Sequence, residues 1–180
     1  MTAARDPRPL TGEPLALDLL NTRWNQEGVT QDLLDDTGGL AVWLTSNGLT
    51  GAHPAGPEAL RHLREAREAI AAAVHGSPRE AAPLVDAVLA HGRIRPRLTA
   101  DGPAEEPEFT DPAWGPAWLA ARDYLDLLGR APERIRTCSG GGCILHFFDT
   151  SRNGTRRWCS MAACGNRAKA SRHYARSKEK

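Results

Sequence analysis

Long apolar runs are absent from this 180-residue sequence. No stretch approaches about 18 consecutive apolar residues, so we expect no membrane-spanning helix and no membrane partner. The first residues, MTAARDPRPLTGEP, also lack the apolar core of about seven residues that export requires, which predicts a cytoplasmic protein. Hydrophobic residues make up 41% and charged residues 25% of the chain, a composition typical of folded globular proteins.

Motifs that carry catalysis are also missing. The sequence has no phosphate-binding G-x-x-x-x-G-K-S/T loop and no G-x-S-x-G nucleophile turn. Its six histidines are scattered, and no two of them have the i, i+4 spacing of metal-binding histidines on a helix. We therefore expect a protein that is not an enzyme.

Cysteine is confined to the last quarter of the chain, where the four cysteines form the pattern C-x4-C-x15-C-x4-C. Four thiols in two close pairs suit a tetrahedral zinc ion, whereas two disulfides are the competing interpretation. In a reducing cytosol, paired cysteines are more often metal ligands than disulfides. Because a catalytic zinc usually keeps an open position, four thiolates predict one structural Zn2+ ion bound by Cys138, Cys143, Cys159 and Cys164. His146, in the same segment, is an alternative ligand that four thiols make unnecessary.

The residues between the cysteine pairs predict a β-hairpin followed by a helix. Residues 144–148 form an apolar, strand-like run, an Asn153-Gly154 turn follows, and residues 155–158 lead back to Cys159. The proline-free segment after Cys159 is rich in Ala, Arg and Lys, so a helix should begin there with Ser160 as its N-cap. Two ligands before a hairpin and two at a helix start make a treble-clef arrangement.

Charge is strongly segregated along the chain. Residues 134–180 contain eight Arg and three Lys but only two acidic residues, a net charge of +9. Residues 1–133 carry 12 basic and 20 acidic residues, a net charge of −8. A basic helix on a zinc-stabilised scaffold is suited to phosphate backbones, so we predict that DNA is contacted by basic residues of this segment. They are Arg152, Arg156, Arg157, Arg167, Lys169, Arg172, His173 and Arg176.

Alternatives to DNA binding stay open at this point. The same basic helix could bind RNA, with Trp158 and Phe148 as stacking surfaces if they are exposed. It could also dock on the acidic first part of the chain, bind an acidic protein partner, or simply be solvated. The sequence leaves open whether the protein forms a homodimer.

The segment Cys164-Gly165-Asn166-Arg167, together with residues 149–154 and 156–159 before it, resembles the CGNR zinc finger. The segment from Gly12 to Thr22 is similar to the start of the ABATE domain, which precedes this finger in bacterial proteins proposed to be stress-linked transcription regulators. The resemblance implies a zinc-binding, DNA-contacting C-terminus, with the zinc ligands at the four cysteines, and an N-terminal domain of unsettled role.

The N-terminal part is predicted to be a mostly helical α+β domain. Helices are expected after Asp36 or Thr37, from Pro57 to Gly76, from Ser77 to Gly92 with a restart at Pro83, and from Asp111 to Gly129. A loose hairpin is expected between residues 94 and 110. We place the domain boundary near residue 132, which gives an ABATE-like domain over 1–132 and a CGNR-type four-cysteine finger over 133–180.

One group of polar residues near the N-terminus is a candidate ligand pocket: Asp18, Asn21, Thr22 and Trp24. The alternative is that Asn21 and Thr22 cap a turn while Trp24 lies in the core. Taken together, the sequence predicts a zinc-dependent DNA-binding transcriptional regulator whose first domain senses a small-molecule or protein effector.

Overall fold

The computed structural model describes residues 5–170. Its N-terminal part is helical: α1 Leu15–Leu20, α2 Thr37–Ser46, α3 Pro57–His75, α4 Pro78–Leu89 and α5 Gly115–Arg130. Two antiparallel hairpins interrupt the helices, namely β1 Arg23–Gln26 with β2 Val29–Asp32 and β3 Gly92–Thr99 with β4 Gly102–Phe109. The C-terminal part contains strands β5 Ile135–Thr137 and β6 His146–Phe148 and a helical segment, α6, over residues 161–170. The predicted mixture of helix and strand, with a helical first part and a small cysteine-containing second part, is confirmed.

Local sequence signals explain where several helices begin. The carboxylate of Asp36 accepts a hydrogen bond of 2.8 Å from the Gly39 amide and so caps α2. Pro57 occupies the first turn of α3, where its missing N–H has no cost. One face of α3 is buried along its length, as its spacing of Leu60, Leu63 and Ile70 predicts.

Two local features differ from the sequence expectations. Strands β1 and β2 form a hairpin that the sequence did not predict, with Glu27 and Gly28 at positive φ angles of 52° and 84°. A Glu-Gly turn is a weaker signal than Asn-Gly, because glutamate seldom adopts the left-handed conformation. Helix α4 also runs through Pro83 without the expected restart. Pro83 has no N–H to donate to the carbonyl four residues earlier, but it lies on the exposed side of the helix, where water can bind that carbonyl instead.

The core is one continuous cluster centred on α3, which packs against α4, α5 and α1. It extends past residue 132 into β6, where Phe147 is fully buried and Phe148 nearly so. The domain boundary near residue 132 stays a prediction. Buried side chains from both sides of this boundary pack in the same core, so each part depends on the other for its packing.

No helix within residues 5–170 is long and apolar enough to cross a membrane.

Candidate metal centre

The first cysteine pair lies in the loop of the β5–β6 hairpin. Strand β5 pairs antiparallel with β6 in the register Ile135–Phe148, Arg136–Phe147 and Thr137–His146. Cys138 follows β5 directly, and its amide donates a 2.8 Å hydrogen bond to the Leu145 carbonyl. The prediction that residues 144–148 pair with residues 155–158 is wrong, because the strand that pairs with β6 is β5, which precedes the first cysteine.

Residues 149–158 instead form a loop organised around the buried side chain of Asp149. Its carboxylate accepts hydrogen bonds of 2.9 Å from the amides of Ser151 and Arg156, and hydrogen bonds from Ser151 lower its pKa. The Arg134 guanidinium donates to the carbonyl oxygens of Asp149 and Ser151 at 2.7 and 2.8 Å. The predicted turn is present, with Gly154 at a φ of 62°. The loop therefore returns the chain to Cys159 without a second strand.

The second cysteine pair brackets the start of α6. Ser160 caps this helix, as predicted, because its hydroxyl accepts a 3.0 Å hydrogen bond from the Ala163 amide. The first turn is a wide π-type turn over Met161–Gly165, and α-helix follows over residues 166–170. The wide turn carries Cys164 round to the same side as Cys159, so the two sulfurs lie 3.6 Å apart.

The four thiols converge on one point. Their sulfur atoms all lie within 4.8 Å of one another, with Cys143 and Cys159 separated by 3.9 Å. A tetrahedral zinc ion with Zn–S bonds of about 2.3 Å requires sulfur separations of about 3.8 Å. The backbone fits closely as well, since a Cβ atom at Gly140 would lie 2.9 Å from the Cys164 sulfur. Cys138, Cys159 and Cys164 are buried and Cys143 is partly exposed.

The charge balance of this cluster calls for a cation. A hydrogen bond from Cys159 lowers the pKa of Cys143 to about 5, so one thiolate forms readily. The same interaction with Cys143 raises the pKa of Cys159, and burial raises the pKa of Cys164 to about 11. Several adjacent thiolates are stable together only when a metal neutralises them. Amides also point at sulfur, with the Cys159 N–H donating to the Cys138 sulfur at 3.2 Å. The donor set thus fits one structural zinc ion, as predicted.

The cysteine-containing part is attached to the helical part by a buried pair of hydrogen bonds. The Asn21 side chain accepts from the His146 amide at 2.7 Å and donates to the His146 carbonyl at 2.9 Å. Asn21 is fully buried at the end of α1 and binds the free edge of β6 as a neighbouring strand would. The carboxylate of Glu13 adds hydrogen bonds from the Phe148 amide and the Arg156 guanidinium. These contacts fix the hairpin of the metal centre on the first helix.

His146 forms a second contact across the same junction. Its Nε2 lies 3.0 Å from Nε2 of His75 at the end of α3, so one ring must donate and the other accept. The His146 ring therefore faces α3. The metal-binding cluster found among the described residues consists of the four cysteines and does not include His146. Burial, together with the nearby His75, lowers the pKa of His146 to about 4.

The lowered pKa of His146 predicts a pH dependence of stability. A neutral histidine in the folded state with an ordinary pKa near 6.5 when unfolded favours unfolding at low pH, because the unfolded chain binds the extra proton. We expect stability to fall as the pH drops from about 6.5 to about 4, by an amount on the order of 3 kcal/mol for this residue. Thermal unfolding of the wild type and of His146→Gln, each with saturating zinc, should be compared across this range. If their difference in melting temperature does not change with pH, this assignment fails, since thiol titration is common to both proteins.

The four residues predicted as a candidate ligand pocket are bound within the fold. All are buried, and each binds a different partner: Asp18 pairs with the buried Arg8 at 2.6 Å, and Thr22 binds Leu19 and Arg67. Asn21 holds β6, and Trp24 packs in the core. The alternative interpretation, structural polar groups around a core tryptophan, agrees with this geometry. The sequence pattern left both interpretations open, because a cluster of polar residues looks the same whether it faces a ligand or the rest of the chain.

The basic residues fall into two groups. Arg152, Arg157, Arg167 and Lys169 are exposed, and no acidic side chain within residues 5–170 forms an ion pair with them. Arg156, in contrast, donates to the Trp158 and Cys159 carbonyls at 3.0 and 2.5 Å and to Glu13 at 3.1 Å. Its guanidinium also lies 4.1 Å from the centre of the Phe147 ring. The geometry therefore favours a structural role for Arg156, whereas Arg172, His173 and Arg176 lie outside the described residues.

A helical first part joined to a small four-cysteine metal centre defines a zinc-finger protein with an additional N-terminal domain. The profile of the ABATE family, described as "Putative stress-induced transcription regulator", matches residues 13–131. The chain belongs to this family. The profile of the CGNR zinc finger matches residues 134–177 and follows it directly, as the resemblance in sequence implied. A comparison with curated proteins found no match for the chain.

Proposed function

We propose that this protein is a cytoplasmic, zinc-dependent transcription regulator whose C-terminal finger binds DNA and whose N-terminal domain responds to a ligand or partner. The observation that carries the proposal is the set of exposed cations Arg152, Arg157, Arg167 and Lys169 on the zinc-organised segment, which we call the basic surface. The description of the ABATE family as a "Putative stress-induced transcription regulator", and the match to a zinc-finger family, support the same conclusion.

The availability of these cations supports binding to an external polyanion. Of the ion pairs between described residues, one crosses from the acidic first part to the basic second part, and it uses Arg156. Arg134 is also satisfied internally by the loop carbonyls. The basic surface is therefore not neutralised by the acidic part within residues 5–170. Surface cations that form no ion pair are the groups that release counterions when they bind phosphates.

The position of the basic surface supports duplex DNA over single-stranded RNA. Arg152 and Arg157 lie in the loop that Asp149 organises, and Arg167 and Lys169 lie on α6. An exposed α-helix beside a short loop suits the major groove and its flanking phosphates. Stacking of RNA bases would require exposed aromatic rings, but Phe148 is 6% exposed and the Arg157 guanidinium lies over the Trp158 ring.

The sequence after residue 170 supplies the remaining residues of the proposed interface. By helical spacing, Arg172, His173 and Arg176 would follow Lys169 on one face. They lie outside the described residues, so the proposal assigns them from sequence alone.

Charge reversal on the basic surface tests the proposal. We expect Arg152→Glu/Arg157→Glu and Arg172→Glu/Arg176→Glu each to weaken duplex DNA binding by about tenfold or more, because each removes two phosphate contacts and adds repulsion. The slope of log affinity against log salt concentration should decrease by about two. Binding should be measured by fluorescence anisotropy with duplex DNA, structured RNA and single strands across a salt series.

A matched control carries the same charge change elsewhere. Arg93 and Arg97 lie on the β3–β4 hairpin with exposed side chains, so Arg93→Glu/Arg97→Glu alters net charge without touching the finger. An equal loss of affinity in this control would show that net charge alone matters and would contradict the proposal. If the wild type binds RNA clearly more tightly than duplex DNA, the basic surface is assigned to RNA instead. If both charge-reversal variants bind DNA as tightly as the wild type, the basic surface is not part of the DNA interface.

A further inference from the structure

A large apolar cleft lies at the junction of the helical part and the metal centre. Its volume is about 770 Å³, within the range of about 300–1,000 Å³ that small-molecule sites occupy. The ends of α3 and α5 and the full length of α4 form three of its walls, and strand β5 closes the fourth side through Ile135 and Thr137. Neither family description assigns a ligand to this place.

The walls of the cleft leave large apolar side chains in contact with solvent. Leu125 and Leu128 on α5 are each 38% exposed, and Val85 and Leu89 of α4 line the opposite wall. Apolar groups that gather in a concave surface, rather than scattering singly, are typical of a binding site. The body of an occupant should therefore be apolar.

Two polar side chains in the cleft, Tyr124 and Arg79, are available to a ligand within the part of the chain that the structure describes. Tyr124 is 5% exposed and lines the cleft, yet its hydroxyl forms no hydrogen bond with residues 5–170. Burial raises the pKa of Tyr124, so the hydroxyl stays protonated as a donor at neutral pH. Arg79 also lines the cleft and forms no ion pair with the described residues. It lies in the first turn of α4, where the helix dipole likewise favours an anion.

The charges along α4 define which anion would fit. Asp86 lines the same cleft seven residues after Arg79, about 10 Å further along the helix. A single negative group is favoured near Arg79, and a second one at the far end would meet a like charge. We propose that this cleft binds an elongated organic monocarboxylate, with its carboxylate at Arg79 and its apolar body between α4 and α5.

The position of β5 connects this site to the metal centre. Thr137 lines the cleft, precedes the zinc ligand Cys138 and pairs with His146 in the β5–β6 hairpin. An occupant would thus contact the strand that carries the first zinc ligand. If the finger binds DNA, as the proposed function states, occupancy of the cleft and DNA affinity should be linked. A ligand that favours one position of β5 would also favour the corresponding position of the metal centre that β5 is part of.

The binding step can be tested without DNA, using zinc-loaded full-length protein and isothermal titration calorimetry. The probes are decanoate, decanol, decanedioate and decyltrimethylammonium, each below its micelle range. We expect decanoate to bind about tenfold more tightly than decanol, and decanedioate and the cation to bind more weakly than decanoate. Arg79→Gln should remove the advantage of decanoate over decanol, whereas Arg122→Gln, an exposed residue outside the cleft, should leave it unchanged.

A second variant tests the cavity itself. Ala82 is an exposed residue of α4 that lines the cleft, so Ala82→Trp should fill it and weaken both decanoate and decanol by at least about tenfold. Absence of decanoate binding to wild type, or equal binding to Ala82→Trp, would overturn the proposal. So would a wild-type dimer that Ala82→Trp converts to a monomer, since the cleft would then be an interface between two copies. DNA affinity measured with and without decanoate tests the linkage separately. If the wild type binds decanoate but no DNA, the proposed function is contradicted and the ligand site is retained.

Discussion

Replacing Cys159 by serine is expected to remove zinc and unfold the C-terminal part. The Cys159 sulfur lies 3.9 Å from that of Cys143 and 3.6 Å from that of Cys164, so its loss opens the cluster on two sides. The hairpin strands β5 and β6 have three residues each, too few to hold the segment without the metal. A structural zinc site supplies on the order of 10 kcal/mol to such a segment, and most of this should be lost.

The measurement is zinc content by mass spectrometry together with thermal unfolding and DNA binding. Wild type should contain one zinc per chain, and Cys159→Ser should contain none and bind no DNA. Ser160→Ala is the matched control, because it removes the α6 cap and should cost about 1 kcal/mol while leaving zinc bound. Stoichiometric zinc in Cys159→Ser would contradict the four-thiolate assignment, and loss of zinc in Ser160→Ala would point to general instability of the segment.

Replacing Asn21 by leucine should be the most damaging change outside the metal centre. Leucine has a similar size but leaves the buried amide and carbonyl of His146 without partners. Each unsatisfied buried group costs about 1–3 kcal/mol, so we expect a loss of about 3–5 kcal/mol in stability. For a chain of this size the melting temperature should fall by roughly 10 °C or more. Thermal unfolding of the zinc-loaded protein measures the effect.

Two further variants show whether the loss comes from this hydrogen-bond pair. Asn21→Asp can still accept from the His146 amide, but when ionised it cannot donate to the His146 carbonyl and places a buried charge beside it, so its loss of stability should shrink as the pH falls and the carboxyl becomes protonated, whereas that of Asn21→Leu should lack this contribution. Asn25→Leu removes an exposed hydrogen bond of 2.7 Å to the Gly142 carbonyl across the same junction, and it should cost less than about 1 kcal/mol. Equal losses for Asn21→Leu and Asn25→Leu would contradict the role given to Asn21. Hydrogen exchange should show faster opening of β6 in Asn21→Leu alone.

The metal centre could be predicted because its signals are local. The spacing of the four cysteines and the Ser160 cap each depend on residues a few positions apart, and the structure brings the sulfurs within 4.8 Å of one another. Helices α2, α3 and α5 were predictable for the same reason, since caps and 3.6-residue periodicity are read within one segment. The prediction that exposed cations cluster on the C-terminal part agrees with the exposure of Arg152 and Arg157 but is untested as an interface.

The differences between the sequence predictions and the structure concern contacts between distant segments. The strand at residues 146–148 was recognised, but its partner was wrong, because the apolar pattern of a strand does not identify its neighbour. The sequence offers Asn21 as a candidate pocket residue or as a turn cap, whereas its side chain binds a backbone 125 residues later. Arg156 was grouped with phosphate-binding residues, although Glu13 and two backbone carbonyls satisfy it. Nothing in the neighbouring sequence of these residues distinguishes an internal partner from an external one.

The sequence by itself determined the zinc ligands, the helix starts and the separation of negative and positive charge between the two parts. Those properties follow from residue type and short spacing, which the chain retains in any fold. Only the tertiary structure decided that β5 completes the hairpin, that Asn21 fastens β6 to α1, and that an apolar cleft opens between α4, α5 and β5. These depend on which surfaces meet, and that is decided by the packing of the whole core.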